Sequence, residues 1–412
     1  MYSLIQNLLE MKKTMFVVLK TSLSLIVLFL ISHIASAQND RTQYPGFLSN
    51  SYFSVNVGYI NYPFTNQHME PGFHVSSIHV PHAAARVVLF GHQFNRYLSA
   101  QVSYMRPVKY AEFTDVNNDH ATHHVWMHFG SLTLRPQLPL NNSFSLFGEA
   151  GLAIVSRKGF NLKIETAVKS TSYGSFLYGG GLQYKLNNKL DVSAGISYMP
   201  SNQKENQPYT IYYSAGFRYT MRPLPEEVVK RNAQFGYIFP ANLLQLGYAV
   251  NTFGYEVNNF VSKKVPIFWG GSVEIKQGLA LRYHRNVFHT RKVFALDIGT
   301  SLSWWQTRKE KESFYALSVF PVFRFNVIRS SAVDLYLNYS VAGPSYISKL
   351  KLDSLETGRH FTFQDFMGIG IYTGKKRNVN AEISINHYSN GNIFTENAGV
   401  KIPLTFTMGY AF

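Results

Sequence analysis

The chain has 412 residues, no cysteine, 39 basic against 23 acidic residues, and an aromatic content of 15% that comes mostly from 27 tyrosines and 32 phenylalanines. Without cysteine, disulfide frameworks and thiolate metal sites are excluded. No long apolar segment follows the first 37 residues, which excludes a bundle of transmembrane helices.

Residues 1–37 predict a secretory signal peptide. Lys12, Lys13 and Lys20 precede an apolar run at 23–31, and small residues at 35–37 supply a cleavage site. The uncharged run is short for a transmembrane anchor, so we expect export. Removal of residues 1–37 would take away three lysines and one glutamate and leave 36 basic and 22 acidic residues. On an exported protein, this excess of basic residues favours phosphorylated glycolipids or anionic lipid headgroups as binding partners rather than nucleic acid. The alternative is a generally basic surface without a specific partner.

Residues 38–221 predict an outer-membrane β-barrel. Segments of alternating polarity recur between turns, as a barrel requires, because in hydrocarbon every backbone group must be paired and the sheet must close. Short connections at 91–96 and 185–189 alternate with long ones, and we expect the short ones in the periplasm. The pattern resembles the small OmpA-like eight-stranded barrels. The eight segments are 52–60, 82–90, 97–105, 124–134, 144–155, 173–186, 190–199 and 209–221.

A break at 222–234 predicts a periplasmic linker. Its two prolines cannot donate to a β-ladder, and its paired acids do not belong in lipid. Residues 235–412 then repeat the barrel pattern, so the predicted fold class is all-β, with two tandem eight-stranded antiparallel transmembrane barrels. The second set of segments is 242–251, 268–283, 291–305, 314–327, 333–340, 361–373, 379–389 and 402–412.

The last strand ends on Phe412, and a terminal aromatic of this kind resembles the recognition signal of the outer-membrane barrel assembly machinery, which is therefore an expected partner. The first half closes in a similar way at 216–221, which favours two tandem barrels. One fused sixteen-stranded barrel is the alternative topology.

His387 and Ser389 form a candidate catalytic pair. They are two residues apart on a predicted strand and therefore share one face, with Ile383 and Ile385. A histidine beside a serine can act as base and nucleophile. In a soluble protein this face would be core, but in a barrel it points to lipid, where a polar pair is costly unless its partner is itself in the membrane.

The run His387-Tyr388-Ser389-Asn390, followed after six residues by Asn397-Ala398-Gly399 and a final strand, resembles the PagL-type lipid A 3-O-deacylases. The resemblance implies an outer-membrane esterase whose active site faces lipid and whose substrate is lipid A of lipopolysaccharide. It implies Ser389 as nucleophile, His387 as base and then acid, and oxyanion stabilisation by Asn390 with the backbone amides of Asn390 and Gly391. No metal or cofactor is implied.

The third catalytic residue departs from the family pattern, because the family's glutamate position falls on Lys401, which cannot orient an imidazole. If 374–378 is a turn, Thr373 faces Val379 and Asp365 lies opposite His387, on the same outward face. We therefore hypothesise that Asp365 orients His387. A charge solvated at the barrel rim is the alternative, and Glu396 in the outer loop is the second candidate.

Arg308, Lys309 and Lys311 on a predicted outer loop could contact lipid A phosphates, or they could be a solvated charge run. Two other functions stay open. The missing glutamate allows a catalytically silent outer-membrane barrel used for structure or binding. A serine and a histidine alone also do not determine which acyl ester is hydrolysed, so a phospholipase or another lipid esterase is the other alternative.

Overall fold

The computed structural model describes residues 41–234, 236–265, 268 and 270–412. The predicted signal peptide lies outside the described residues. The described chain forms two closed eight-stranded antiparallel barrels, one after the other along the sequence. The predicted fold class is therefore confirmed, and the fused sixteen-stranded alternative is wrong because each sheet closes on itself.

The first barrel runs in the order β6-β4-β3-β1-β12-β11-β10-β7 and closes through pairing of β6 with β7, while β2 and β5 extend the sheet beyond β6. Its elements are β1 Ser51–Asn61, β2 Val75–His79, β3 Ala83–Asn95, β4 Leu98–Pro107, β5 Ala111–Val116, β6 Thr122–Pro139, β7 Phe144–Lys158, β8 Phe160–Leu162, β9 Glu165–Val168, β10 Thr171–Lys185, β11 Leu190–Met199 and β12 Thr210–Thr220, with short 3-10 helices at Asn66–His68 and Gln203–Glu205.

The second barrel runs in the order β13-β14-β15-β16-β17-β20-β21-β22 and closes through pairing of β13 with β22. Two helices lie outside the strands, and neither they nor any other helix in the described ranges is long and apolar enough to cross a membrane. The elements are α1 Glu226–Ala233, β13 Asn242–Val250, a 3-10 helix at Asn251–Phe253, α2 Glu256–Lys264, β14 Val273–His289, β15 Phe294–Thr307, β16 Ser313–Arg329, β17 Val333–Ile347, β18 Lys351–Leu352, β19 Leu355–Glu356, β20 Phe361–Thr373, β21 Val379–Ser389 and β22 Val400–Ala411.

The long connections of both barrels lie at one end, which we call the long-loop end, and the tight turns lie at the other. In the first barrel, buried apolar side chains such as Phe113 and Phe129 fill the long-loop end. In the second, Trp305 and Tyr388 belong to a similar apolar cluster. The short β13 stops at Val250, so β14 and β22 pair directly beyond it. The segment between β13 and β14 folds over this part of the rim.

Charged networks fill the barrel interiors, as expected where strands alternate apolar outward and polar inward. In the first barrel, Glu149 accepts hydrogen bonds from Arg86, Gln101 and Thr133. In the second, Glu382 pairs with Arg282 at 3.3 Å, and both side chains are fully buried. These networks pack the interiors with side chains.

Strand β17 is longer than predicted, since alternation in the sequence stops at Ser340 but the strand continues to Ile347. The register with β20 shifts by one residue between Ser340 and Gly343. This β-bulge places one extra residue in β17, which reverses the alternation and hides the rest of the strand from a periodicity argument.

The segment before β1 and the segment that joins the barrels both pack against the second barrel. Tyr44, just before β1, stacks on Phe288 of β14 with ring centroids 4.8 Å apart, and Arg41 donates to the carbonyl of Phe239 at 2.9 Å. Helix α1 lies within the predicted linker. At the long-loop ends, Ser156 and Lys158 of the first barrel contact Ile393 and Glu396 of the second. The two barrels therefore lie side by side with their long-loop ends level.

Candidate active site

His387 and Asp365 face each other on the outside of the second barrel. They are directly paired residues of β21 and β20, in the register that the turn at 374–378 predicts, with Thr373 opposite Val379. His387 Nδ1 lies 3.5 Å from Asp365 Oδ2. Both side chains are buried, with exposed fractions of 1% and 3%. A carboxylate at this distance can hold the imidazole in one tautomer and orientation.

The bulge in β17 supplies the second contact to Asp365. Ala342 has φ of 53°, and its backbone N–H donates to Asp365 Oδ1 at 2.7 Å. Because β-bulges re-aim groups at sites next to chemistry, the extra residue turns a backbone donor toward the carboxylate. Asp365 is thus held between a backbone amide and His387.

The other side of His387 is covered by the segment that crosses the barrel rim. The ring of Phe268 lies 6.2 Å from the imidazole, centroid to centroid. A Cβ built on Gly399, whose φ is 48°, would lie 3.3 Å from His387 Nε2. Nε2 is buried and has no hydrogen-bond partner among the described residues. The nitrogen that would take a proton is therefore unoccupied.

Ser389 lies two residues along β21, half-buried, on the same outward face. Within the described ranges, no hydrogen bond joins Ser389 Oγ to His387. Both residues line one cavity. Catalytic hydrogen bonds are often long in unliganded structures and shorten when the substrate binds.

The loop after Ser389 is held by the side chains of Asn390 and Asn397. The backbone N–H of Asn390 donates to Asn397 Oδ1 at 3.0 Å. Its side-chain Nδ2 donates to the carbonyls of Thr357 and Glu396 at 3.1 and 2.6 Å. Both donors of Asn390 are thus engaged, whereas the N–H of Gly391, at φ of 63°, makes no hydrogen bond to another described residue. In the described part of the chain, Gly391 N–H is therefore a donor without a partner, two residues after Ser389.

Lys401 flanks His387 on the other side, as its direct partner in β22. Its Nζ lies 3.2 Å from Glu274 Oε1 at the start of β14, and Glu274 also pairs with Arg308 at 2.8 Å. The lysine therefore points to a carboxylate of its own. No local sequence pattern links Glu274 to the site, because it lies more than a hundred residues before Lys401.

The remaining predicted residues lie outside the immediate site. Glu396 Oε1 pairs with Lys158 of the first barrel at 2.9 Å, and no ion pair joins it to His387 among the described residues. Arg308, Lys309 and Lys311 are exposed on the β15–β16 loop at the long-loop end. Arg308 bonds Glu274, while the Lys309 backbone N–H donates to Asp353. None of the three lines the cavity at Ser389.

That cavity has a volume of about 2420 Å³ and lies between the two barrels. Asp365, His387, Ser389 and Gly391 lie on one wall. Most other lining side chains are aliphatic or aromatic and come from both barrels. The site therefore opens sideways into an apolar groove.

Two family models match the chain. Residues 277–410 match the family described as lipid A 3-O-deacylase (PagL), and residues 24–220 match the outer membrane protein beta-barrel domain. The predicted resemblances of the two halves are thereby confirmed, and both families indicate the bacterial outer membrane. No curated protein matches the sequence.

Several solved structures are similar to a part of the chain that is about as long as one barrel. The outer membrane enzyme PagL is 15% identical, with 41% of this chain and 98% of that chain covered and a TM-score of 0.29. Neisserial surface protein A is 14% identical over 42% of this chain and 97% of that one, with a TM-score of 0.29. The attachment invasion locus protein Ail of Yersinia pestis is 19% identical over 41% and 99%, with a TM-score of 0.27.

Proposed function

We propose that the second barrel hydrolyses the 3-O-linked acyl ester of lipid A, with Ser389 as nucleophile, His387 as base and Asp365 as the residue that orients His387. The observation that carries the proposal is the buried His387–Asp365 pair beside Ser389, on an outward face that opens into an apolar groove. The match of residues 277–410 to the lipid A 3-O-deacylase family supports the choice of substrate.

The reaction proceeds in two steps. Ser389 Oγ attacks the ester carbonyl while its proton passes to His387 Nε2, and collapse of the tetrahedral intermediate breaks the ester bond. The leaving sugar oxygen takes that proton. Water then gives a proton to Nε2 and attacks the acyl-serine. The bond between the acyl carbon and Ser389 Oγ breaks, Nε2 returns its proton to Oγ, and the fatty acid leaves. Asp365 stabilises the imidazolium in both steps.

The developing oxyanion needs a donor close to Ser389. Gly391 N–H is the candidate, since both donors of Asn390 are engaged and serve to shape the loop. We infer that Arg308, Lys309 and Lys311, which are exposed at the long-loop end, attract the anionic head of lipopolysaccharide before it reaches the groove. The outer-membrane bilayer and the barrel assembly machinery complete the proposed partners, after export by the signal peptide.

The test is mass spectrometry of lipid A from cells that express the full chain. We expect loss of one 3-hydroxyacyl chain with the natural sequence and unmodified lipid A with Ser389→Ala. Ser384→Ala is the matched control, because Ser384 is on the same strand but buried inside the barrel. Deacylation that persists in Ser389→Ala would remove Ser389 from the mechanism.

Lys401 beside His387 favours a second candidate, a catalytically silent barrel, because the position lacks a carboxylate. The same lipid extract separates the candidates. Unchanged lipids support the silent barrel, whereas lysophospholipid with intact lipid A supports a glycerolipid esterase.

A further inference from the structure

The groove at Ser389 has two walls, and the first barrel supplies one of them. On the second barrel the wall is formed by residues of β14, β15, β16, β17, β20 and β21 with the loop at 390–399. On the first barrel it is the outward face of β3, β4, β6, β7 and β10. At about 2420 Å³ the groove exceeds the roughly 300–1,000 Å³ of a small-molecule pocket. It has room for more than one lipid chain.

Direct contacts hold the walls together next to the site. The hydroxyl of Ser156 on β7 donates to the carbonyl of Ile393, and that of Ser172 on β10 donates to the same oxygen at 3.5 Å. Ser156 lies in an outward row yet is only 1% exposed, because the loop covers it. The first barrel therefore braces the loop that carries Gly391.

Two glycines leave a trough in the first barrel's wall. Gly130 and Gly174 flank Ile154 as its paired neighbours on β6 and β10. A Cβ built on Gly130 meets only Ile393, and one built on Gly174 meets nothing within 4 Å. Leu152 and Phe176 border this space and are 60% and 54% exposed. The trough is thus an apolar channel that lacks a side chain on either side of Ile154.

We propose that the first barrel forms the second half of an acyl-binding groove, in which the fatty acyl chain of the ester lies against Ile154, Leu152 and Phe176. The assignment rests on the proposed esterase function for the position of the ester at Ser389. An apolar chain suits the walls, since the only charged or imidazole side chains among the lining residues are Arg106, Arg231, Asp365 and His387. The first barrel then selects substrates by chain length.

The kinetic test uses the full chain in phosphatidylcholine vesicles with two probes, p-nitrophenyl butyrate and p-nitrophenyl palmitate. Gly174→Trp fills the trough, whereas Ala194→Trp is the matched control on an outward face of the first barrel away from the groove. Displacing roughly two methylene groups is expected to lower kcat/KM for palmitate about tenfold. Butyrate hydrolysis should stay within about twofold, since its chain ends before the trough. Equal palmitate kinetics for both variants would overturn the proposal.

A thiol label gives a readout that does not depend on catalysis. Since the chain has no cysteine, Gly174→Cys and Ala194→Cys can each carry one bimane fluorophore, attached after folding, in a Ser389→Ala background. We expect added palmitic acid to shift the emission at position 174 and leave position 194 unchanged. If neither ester is hydrolysed but position 174 responds, the hydrolase proposal fails and the groove stands. Equal responses at both positions would refute the groove.

Discussion

Asp365 contacts His387 from one oxygen and the backbone N–H of Ala342 from the other, at 3.5 and 2.7 Å. The carboxylate is therefore oriented by a strand that precedes it in sequence rather than by a neighbouring side chain. A backbone donor in a bulge has no rotamers to lose, so it holds the carboxylate at little entropic cost. In the proposed mechanism, this arrangement supplies the orientation that Lys401 cannot.

Replacing Asp365 by asparagine should leave the barrel folded and lower kcat by about 10²- to 10⁴-fold, because the imidazolium loses its counter-charge. The change is measured as initial rates on p-nitrophenyl palmitate. Glu396→Gln is the matched control, and we expect nearly natural rates because its carboxylate pairs with Lys158. The reverse ranking of the two variants would make Glu396 the orienting residue.

Deleting Ala342 should remove the bulge and restore regular pairing of β17 with β20, since two residues there face Asp365. A lost hydrogen bond to a carboxylate costs about 1.5–3 kcal/mol, so we expect kcat to fall roughly 10- to 100-fold. Ala342→Gly keeps the N–H and suits the φ of 53°, so its rate should match the natural chain. Similar rates for the deletion and the glycine variant would show that the bulge has no role in catalysis.

Gly399→Ala should reduce activity, because the position has φ of 48° and a new methyl group would lie 3.1 Å from Gly271 Cα and 3.3 Å from His387 Nε2. The left-handed conformation alone costs about 1–2 kcal/mol in an alanine. Gly270→Ala is the control, since its Cβ would make ordinary contacts with Ser262. The variants are compared by kcat and by urea unfolding. A fully active Gly399→Ala would mean that Nε2 does not need the space left by the missing side chain of Gly399.

Glu382→Ala should destabilise the second barrel by about 3–5 kcal/mol, because it leaves the fully buried Arg282 without its counter-charge. Urea unfolding in lipid vesicles measures the loss. The exposed pair of Glu226 and Lys230 in α1 provides the comparison. There, Glu226→Ala should change the free energy of unfolding by less than about 1 kcal/mol. Equal losses would contradict a network that depends on burial.

Local alternation was sufficient to predict both barrels and the pairing of Asp365 with His387. Strands of period two show their faces directly, and the tight turn at 374–378 determines the register of the hairpin. The break after Ser340 has the pattern of a strand end, because a bulge and a loop interrupt the alternation in the same way. Because alternation alone does not reveal the bulge, the hydrogen bond from Ala342 to Asp365 could not be predicted.

Contacts between distant segments were beyond a periodicity argument. The engagement of both Asn390 donors depends on Asn397, Thr357 and Glu396, which meet only after the loops fold. The cover over His387 depends on Phe268 and on the early end of β13. Sequence patterns identify which residues can react, while such long-range contacts decide which of their atoms are free.

The few contacts between Ile393, Ser156 and Ser172 would be weak as an interface between separate proteins. Joined in one chain by a short segment, the barrels meet at an effective concentration in the millimolar range, which makes association nearly obligatory. The fusion also gives every second barrel its own neighbour in a crowded membrane. Dividing the chain near α1 into two polypeptides would therefore make the assembly of the groove depend on protein density in the bilayer.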